Sequence, residues 1–525
     1  MPAFCEDRLA EPCEPKLEQG PEPTPRLTQR AYLNIAASLL DYTAKIAVGL
    51  LVTPILVGGL GRSLFGVWEM LSRLVGYMSA TDGRPTQALR LVVANQQSLP
   101  DLALKRRSVG SAMVVWLLFL PVLAGVGTIL VWFSPTITKV SPDLQQVVRL
   151  TCALLVLNFL LSGLVELPES ILRGMNLGYR RMGLQAGLSV VAGLLTVGAI
   201  CRGLGLIGVA AAQIALAGVT AVFFWLVAKK CVPWFGVMRP TKTEIWSLLG
   251  MSTWYSAGDL ITKLLLASDV IILGMVASPS TVTTYVLTGY AARTVLGIMT
   301  ITLAAVTPGL GGVIGQKQYQ KAFRLRREMI MMSWCLVTAI GSTILLWNRS
   351  FLYLWVGREH YAGFWANLLI VAIMVQTVFI RSDSYVIDAT LRLRDRVLVT
   401  AIAAVVSIVL SVLLIPRLGI VGLCLGILGG RMIQSVSYPF LVRLCLGRSQ
   451  GSGPKGTARP AIVMGLLFVA SGYLGQRLLA HNWIEWTTYV GGSFGIILCI
   501  ALVTGLSNES KRPLIRRFRM IWQWA

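Results

Sequence analysis

The sequence predicts an all-α integral membrane protein of about fourteen transmembrane helices, arranged as two repeated six-helix bundles plus two C-terminal helices. Three observations carry this reading. The chain of 525 residues is 55% hydrophobic and only 13% charged, where a soluble protein carries roughly 25% charge. Its apolar runs are continuous over roughly 20 residues, the length of a spanning helix, rather than the ten-residue alternation of a barrel strand. Segments of the first half also recur, in order, in the second. Hydrocarbon offers no partner to a backbone amide, so each apolar run must satisfy its own hydrogen bonds, and a helix does that.

The predicted spans cover residues 33–59, 64–80, 110–133, 147–167, 183–201, 206–228, 247–276, 281–306, 329–347, 364–381, 397–415, 418–442, 460–480 and 486–505. They divide the chain into an N-terminal tail (1–32), an N-lobe (33–228), a linker (229–246), a C-lobe (247–446), two further spans (447–505) and a tail (506–525). The net charge of +24 would point to nucleic acid in a soluble protein. Here the basic residues lie in short loops, which is the positive-inside pattern. With both termini cytosolic, most of the 47 Lys and Arg fall on the cytosolic side. Among them are Lys105-Arg106-Arg107, Arg180-Arg181, Lys229-Lys230, Arg324 to Arg327 and Arg392 to Arg396. No nucleic-acid partner is expected; membrane lipids are.

The tails read differently from one another. Residues 1–25 are rich in Pro and Glu and read as a disordered cytosolic tail. Lys511 to Trp524 mixes Arg512, Arg516, Arg517 and Arg519 with Phe518, Trp522 and Trp524, the composition of an interfacial helix on anionic lipid. The nine Cys show no CxxC and the two His no cluster, so neither a metal site nor a disulfide framework is expected.

The internal repeat rests on three matches. Leu204-Gly205-Leu206-Ile207-Gly208-Val209 recurs as Leu418-Gly419-Ile420-Val421-Gly422-Leu423, an offset of 214. Glu169-Ser170 recurs as Asp383-Ser384 at the same offset. Asp41-x-x-x-Lys45 recurs as Asp259-x-x-x-Lys263, an offset of 218. An even number of spans separates the copies, so the repeats are parallel, related by an axis along the membrane normal about a central cavity.

Span 1 followed by Gly59-Leu60-Gly61-Arg62-Ser63-Leu64-Phe65-Gly66-Val67-Trp68, together with the Leu-Gly-Ile-Val-Gly type openings of spans 6 and 12, resembles the bacterial polysaccharide flippases. These belong to the multidrug, oligosaccharidyl-lipid and polysaccharide exporter superfamily. The resemblance covers roughly residues 30–505. It implies a bacterial inner-membrane protein that moves an undecaprenyl-diphosphate-linked oligosaccharide, or a related lipid-linked sugar, to the outer leaflet. It also implies glycan polymerase or export machinery as partners. One departure is visible: the family's Gly-rich segment after span 2 is here the charged Asp82-Gly83-Arg84-Pro85.

A charge at mid-membrane costs about 2.5–3.5 kcal/mol on insertion scales, so each one needs a reason. The basic residues well inside spans, away from their ends, are Lys45, Arg73, Lys263, Arg293 and Arg431, and the acids are Asp41, Glu69, Glu166, Asp259 and Asp269. Asp41 with Lys45, Glu69 with Arg73, and Asp259 with Lys263 are each spaced i, i+4 on one helix face. Lys45, Arg73, Lys263 and Arg293 are therefore assigned to a wet cavity between the lobes that receives a diphosphate or acidic sugars. Asp41, Glu69 and Asp259 are assigned to charge pairing or ion coupling. Two alternatives stay open here. Each couple is an intrahelical salt bridge that only neutralises itself, or Arg293 and Arg431 sit at span ends and snorkel. Glu166 and Glu169, flanking Pro168, read as partly hydrated end residues. Gly422, Gly426 and Gly430 form a small-residue face for helix packing.

No catalytic constellation is present. The chain has no Walker loop, no HExxH and no Ser-His-Asp set, and no cofactor is expected. A membrane glycan polymerase or transferase would carry a large extracytoplasmic loop, and the longest one here, near 348–363, has about sixteen residues. A cation-coupled multidrug antiporter of the same superfamily is the nearer alternative, but its cavity is expected to be acidic or apolar. Five intramembrane cations point instead to an anionic cargo.

Overall fold

The computed structural model describes residues 25–80, 82, 85–96, 101–175, 184–390, 393–446 and 458–505. The N-terminal tail up to 24, Arg84, Arg180-Arg181, Arg392 and the tail from 506 lie outside the described residues, as does the side chain of Asp259. Among the described residues all regular structure is helical. The helices are α1 (Pro25–Gly76), α2 (Pro85–Asn95), α3 (Leu102–Thr138), α4 (Gln145–Gly174), α5 (Leu184–Cys201) and α6 (Gly205–Cys231) in the first half. The second half has α7 (Lys242–Val276), α8 (Pro279–Thr288), α9 (Tyr290–Gly315), α10 (Tyr319–Trp355), α11 (Phe364–Ala389), α12 (Leu393–Leu418) and α13 (Ile420–Leu446), then α14 (Ala458–Arg477) and α15 (Trp483–Ile500).

Ten of these stretches are by themselves long and apolar enough to cross a membrane, or eleven with α8 and α9 taken as one span bent by 53°. The chain is a multi-pass membrane protein. The fourteen predicted spans map onto the helices once two interruptions are recognised. α1 is two arms, because its backbone turns at Gly61 (φ 77°, ψ 166°), a conformation that a residue with a Cβ rarely adopts. Its second arm then continues, past a break, into α2.

Helix ends are set by local chemistry. Asp101 caps α3 by accepting from the amides of Ala103 and Leu104. Thr241 and Glu244 form a reciprocal capping box at the start of α7, and Asn482 caps α15. The repeated Leu-Gly motif is a repeated turn: Gly205 and Gly419 take the same left-handed conformation, φ 54° and 56°. Each reverses the chain between two packed helices, α5 to α6 and α12 to α13.

α12 and α13 lie especially close. A Cβ on Gly422 would run into the carbonyl of Leu414, one on Gly426 into the backbone of Ser411, and one on Gly430 into Ser407. α14 and α15 pack on α10, where Trp347, Ala480 and Ile497 share a small core. The ion pairs cluster at the end of the molecule that carries the basic loops: Arg107 with Glu244 at 3.6 Å, Arg173 with Glu169 at 2.6 Å, Arg326 with Asp383 and Arg396 with Asp388, both at 2.7 Å.

The close α12–α13 contact predicts that Gly430→Leu costs at least the roughly 1–3 kcal/mol of an overpacked core. Its thermal unfolding in detergent is expected several degrees below that of the unaltered protein. Gly465, whose Cβ would meet open space, is expected to tolerate Ala without loss.

Candidate functional site

The first bundle encloses a cavity of about 500 Å³. The first arm of α1 contributes Lys45, Val52 and Thr53, the second arm Trp68, α4 Glu169, α5 Gln185, and α6 Gln213, Thr220 and Phe224. Glu169 is held by Arg173 one turn on, at 2.6 Å. Among the described residues Lys45 makes no hydrogen bond and no ion pair, with Asp41 or with any other group. Asp41, one turn before it, is buried at 7% exposure. Lys45 itself is exposed at the cavity, so its ammonium is open to an anion.

Lys263 and Arg293 are committed elsewhere. Two spans are broken at corresponding places, after Gly76 in the first bundle and at Gly289 in the second, an offset of 213, one residue short of the 214 of the sequence repeat. A break frees carbonyls that hydrocarbon cannot satisfy. Lys263 on α7 donates to the Gly76 carbonyl and to Ser79 Oγ, and Tyr77 Oη donates back to the Lys263 carbonyl at 3.2 Å. Arg293 on α9 donates to the carbonyls of Val286 and Tyr285 and lies 5.3 Å from the Tyr285 ring. Both cations therefore sit at helix C-termini, where the helix dipole is negative. Lys263 makes its bonds across the two bundles, and Arg293 within the second.

Beside these breaks lies a group that the sequence had not put together. Tyr285 Oη donates to Asp269 Oδ2 at 2.7 Å, and Asp269 also acts electrostatically on Tyr77 and on Arg431. Arg431 is buried at 7% exposure and donates to Thr377 Oγ1 at 2.7 Å, so it is a core residue of the second bundle and not a snorkelling end. Arg73 is near Tyr77. Among the described residues no ion pair joins Glu69 to Arg73. Glu166 accepts from Thr86 Oγ1 at 3.4 Å. The structure thus gathers Arg73, Lys263 and Arg293 around the broken helices and puts Lys45 in the first bundle's own cavity. The matching offset of Gly76 and Gly289 was the sequence signal for the breaks; the contacts of Asp269 and Tyr285 had none.

The two bundles are tied together at the end opposite the basic loops. Arg62, just past the turn in α1, donates to Thr284 Oγ1 at 2.6 Å, and Thr283 Oγ1 donates to the Arg62 carbonyl at 2.6 Å. Trp355 Nε1 donates to the Leu50 carbonyl at 2.7 Å. Gly66 rests against the Pro279 carbonyl with no room for a Cβ. The largest core joins Val57, Phe65 and Met70 to α7–α13. Toward the basic end the cores are separate. One gathers α2–α6 with the first turns of α7, the other α9–α13.

His360, in the connection between α10 and α11, is buried at 4% exposure against this closed end, with no well-formed hydrogen bond at either ring nitrogen among the described residues and the Val356 and Gly357 backbone beside it. Burial, aided by the Arg62 charge and opposed by Glu359, holds its pKa below the ordinary 6.5. A group whose folded pKa is depressed in this way binds its proton more readily when released. Stability is present above pH 6.5 and is lost as pH falls below it. The melting temperature is therefore expected to drop as pH falls from about 7.5 to about 5, and His360→Leu is expected to remove part of that drop. An unchanged pH profile in the variant would contradict it.

No protein-family model matches the chain, and no curated protein matches it in sequence. Solved structures do. The lipid II flippase MurJ in an inward closed conformation aligns over 89% of this chain and 98% of its own, at 12% identity and a TM-score of 0.64. An inward-facing multidrug resistance MATE family transporter of the MOP superfamily aligns over 79% and 98%, at 14% identity and 0.62. An outward-facing MATE family transporter of that superfamily aligns over 80% and 97%, at 15% identity and 0.54. Two parallel bundles, two matching helix breaks and this likeness agree: the chain has the fold of the multidrug, oligosaccharidyl-lipid and polysaccharide exporter superfamily.

Proposed function

We propose that this protein moves an amphiphile with an anionic headgroup, a lipid-linked oligosaccharide of the undecaprenyl-diphosphate type, from the cytosolic to the outer leaflet of a bacterial inner membrane. The observation that carries the reading is the uncommitted ammonium of Lys45 in a cavity of about 500 Å³ within the first bundle. A diphosphate or an acidic sugar meets that charge, while Gln185, Gln213, Thr53 and the Trp68 face supply hydrogen bonds and an apolar wall for sugar rings. The lipid tail stays in the bilayer.

The transport cycle follows from where the bundles are joined. Contacts around Arg62, Leu50 and Trp355 close one end, whereas at the basic end the bundles keep separate cores, bridged by the first turns of α7 on α2 and α3. With the basic end cytosolic, as the positive-inside pattern requires, this is the state that loads cargo from the cytosol. Rocking of the bundles opens the other end, and it must break or re-form the bonds that Lys263 makes to the second arm of α1. The higher similarity to the inward-facing than to the outward-facing MATE structure supports that assignment. Glycan polymerase or export machinery would receive the cargo.

A cation-coupled multidrug antiporter is the second reading. The observation that favours it is Asp41, an acid buried at 7% exposure in the first span, which suits a carrier of protons or cationic drugs.

The test is reconstitution in vesicles with a fluorescent polyprenyl-diphosphate oligosaccharide, scoring the fraction reached by a membrane-impermeant quencher. Lys45→Ala removes a charged hydrogen bond worth about 1.5–3 kcal/mol and is expected to slow translocation by about tenfold or more. Lys45→Arg is expected to retain most of it. Movement of a cationic dye in place of the lipid, abolished by Asp41→Asn, would establish the antiporter reading. Lys263→Ala, which orphans carbonyls at a helix break, is expected to lower transport and melting temperature together, whereas Lys45→Ala lowers transport alone.

A further inference from the structure

The second bundle holds a cavity of its own, about 390 Å³, between α11, α13 and α14. It is related to the Lys45 cavity by the sequence repeat. Asp383, Gln434 and Tyr438 line it, and Glu169, Thr220 and Phe224 line the other, each pair offset by 214. Three positions matched by the repeat line a cavity in each bundle, but the rest of the linings differ: α1 and α5 complete the first, and α14, which lies outside the repeat, completes the second. Among the described residues no basic side chain lines the second one, and the carboxylate of Asp383 is matched by Arg326 at 2.7 Å. Phe379, Met432, Met464 and Phe468 make most of the wall.

Two acceptors in that wall are unmet. Gln376 Nε2 donates to the Leu428 carbonyl and to Ser435 Oγ, both at 3.2 Å. The carbonyl accepts only, so the amide orientation is fixed and its Oε1 faces away from them. Gln434 is 2% exposed, and its Nε2 is assigned to two hydroxyls, Tyr438 Oη at 3.2 Å and Thr400 Oγ1 at 3.4 Å, which fix the amide less firmly than a carbonyl does. Neither Oε1 has a hydrogen-bond partner among the described residues, and both are shut off from solvent. A buried acceptor left unmet costs about 1–3 kcal/mol. Water is a poor remedy in such a space: it needs two to four polar partners, and a volume this size would hold many waters against apolar walls.

We infer that this cavity is a second ligand site, taking an uncharged amphiphile whose hydroxyl or amide donors meet Gln376 Oε1 and Gln434 Oε1 while its apolar part lies along Phe379, Met432, Met464 and Phe468. The matched Asp383 disfavours a charged ligand of either sign. The volume lies within the range of small-molecule cavities, about 300–1,000 Å³. The site is independent of Lys45 and of the anionic cargo, being built in the other bundle from other helices.

The full-length protein in detergent would be labelled with a diazirine-bearing octanol and the adducts mapped by mass spectrometry. Adducts are expected on α11, α13 and α14. Excess 1-octanol should suppress them and octane should not. Gln376→Leu combined with Gln434→Leu, close to isosteric, should lower labelling there by about tenfold, with labelling in Lys45→Ala protein unchanged. Should the double variant fail to fold, Ala372→Phe, which fills the cavity and keeps both glutamines, should abolish the same adducts. Labelling elsewhere only, or equal competition by octane together with undiminished labelling of the double variant, would reduce the site to an apolar crevice and overturn the proposal.

Discussion

A backbone carbonyl freed inside a bilayer has to find a donor within the protein, and that constraint organises the centre of this molecule. Two spans are broken, after Gly76 and at Gly289. Each break exposes the negative end of a helix dipole. A lysine from α7 answers the first and an arginine from α9 the second. The same bonds that pay this debt also join the two bundles, since Lys263 reaches from one into the other. A break without its cation would be unstable, and a cation without its break would be a bare charge in hydrocarbon. Each makes the other tolerable.

The duplication explains why these features come in pairs. Paired turns at Gly205 and Gly419 share one backbone conformation. Paired carboxylates, Glu169 and Asp383, each hold an arginine and each line a cavity. What differs between the halves is where their lysines went. Lys45 stays in its own cavity, whereas Lys263, its counterpart, is drawn to the broken helix of the opposite bundle. Of two lysines matched by the repeat, one thus lines a cavity and the other bonds to a helix break. That asymmetry gives the two cavities different chemistry.

The closed end and the parted end follow from packing rather than charge. Where Gly66 meets the Pro279 carbonyl, the backbones of α1 and α8 touch directly. Arg62, Thr283 and Thr284 then seal the contact with short hydrogen bonds. At the other end each bundle closes around its own apolar core, and α7 reaches across, its first turns lodged with α2 and α3 through Leu248 and Leu249. A helix shared in this way is suited to act as the strap about which bundles turn.

The sequence by itself determined the solvent, the helical class and the list of charges that need an explanation, and it pointed to an internal repeat. These are properties of composition and spacing: the length of an apolar run, the offset between two motifs, the presence of a lysine among leucines. Tertiary structure decided which charge does what. Spacing put Lys45 with Asp41, and Glu69 with Arg73, on common helix faces, but a common face does not fix a contact, and neither Lys45 nor Glu69 forms its ion pair. Arg431 read as equally suited to a span end or an interior; only its burial against Thr377 settled it. The bonds of Lys263 and Arg293 depend on carbonyls freed by breaks in helices that both looked continuous in hydropathy. A carbonyl has no signature in a one-letter code, so a side chain whose partner is the backbone can be recognised only when the chain is folded.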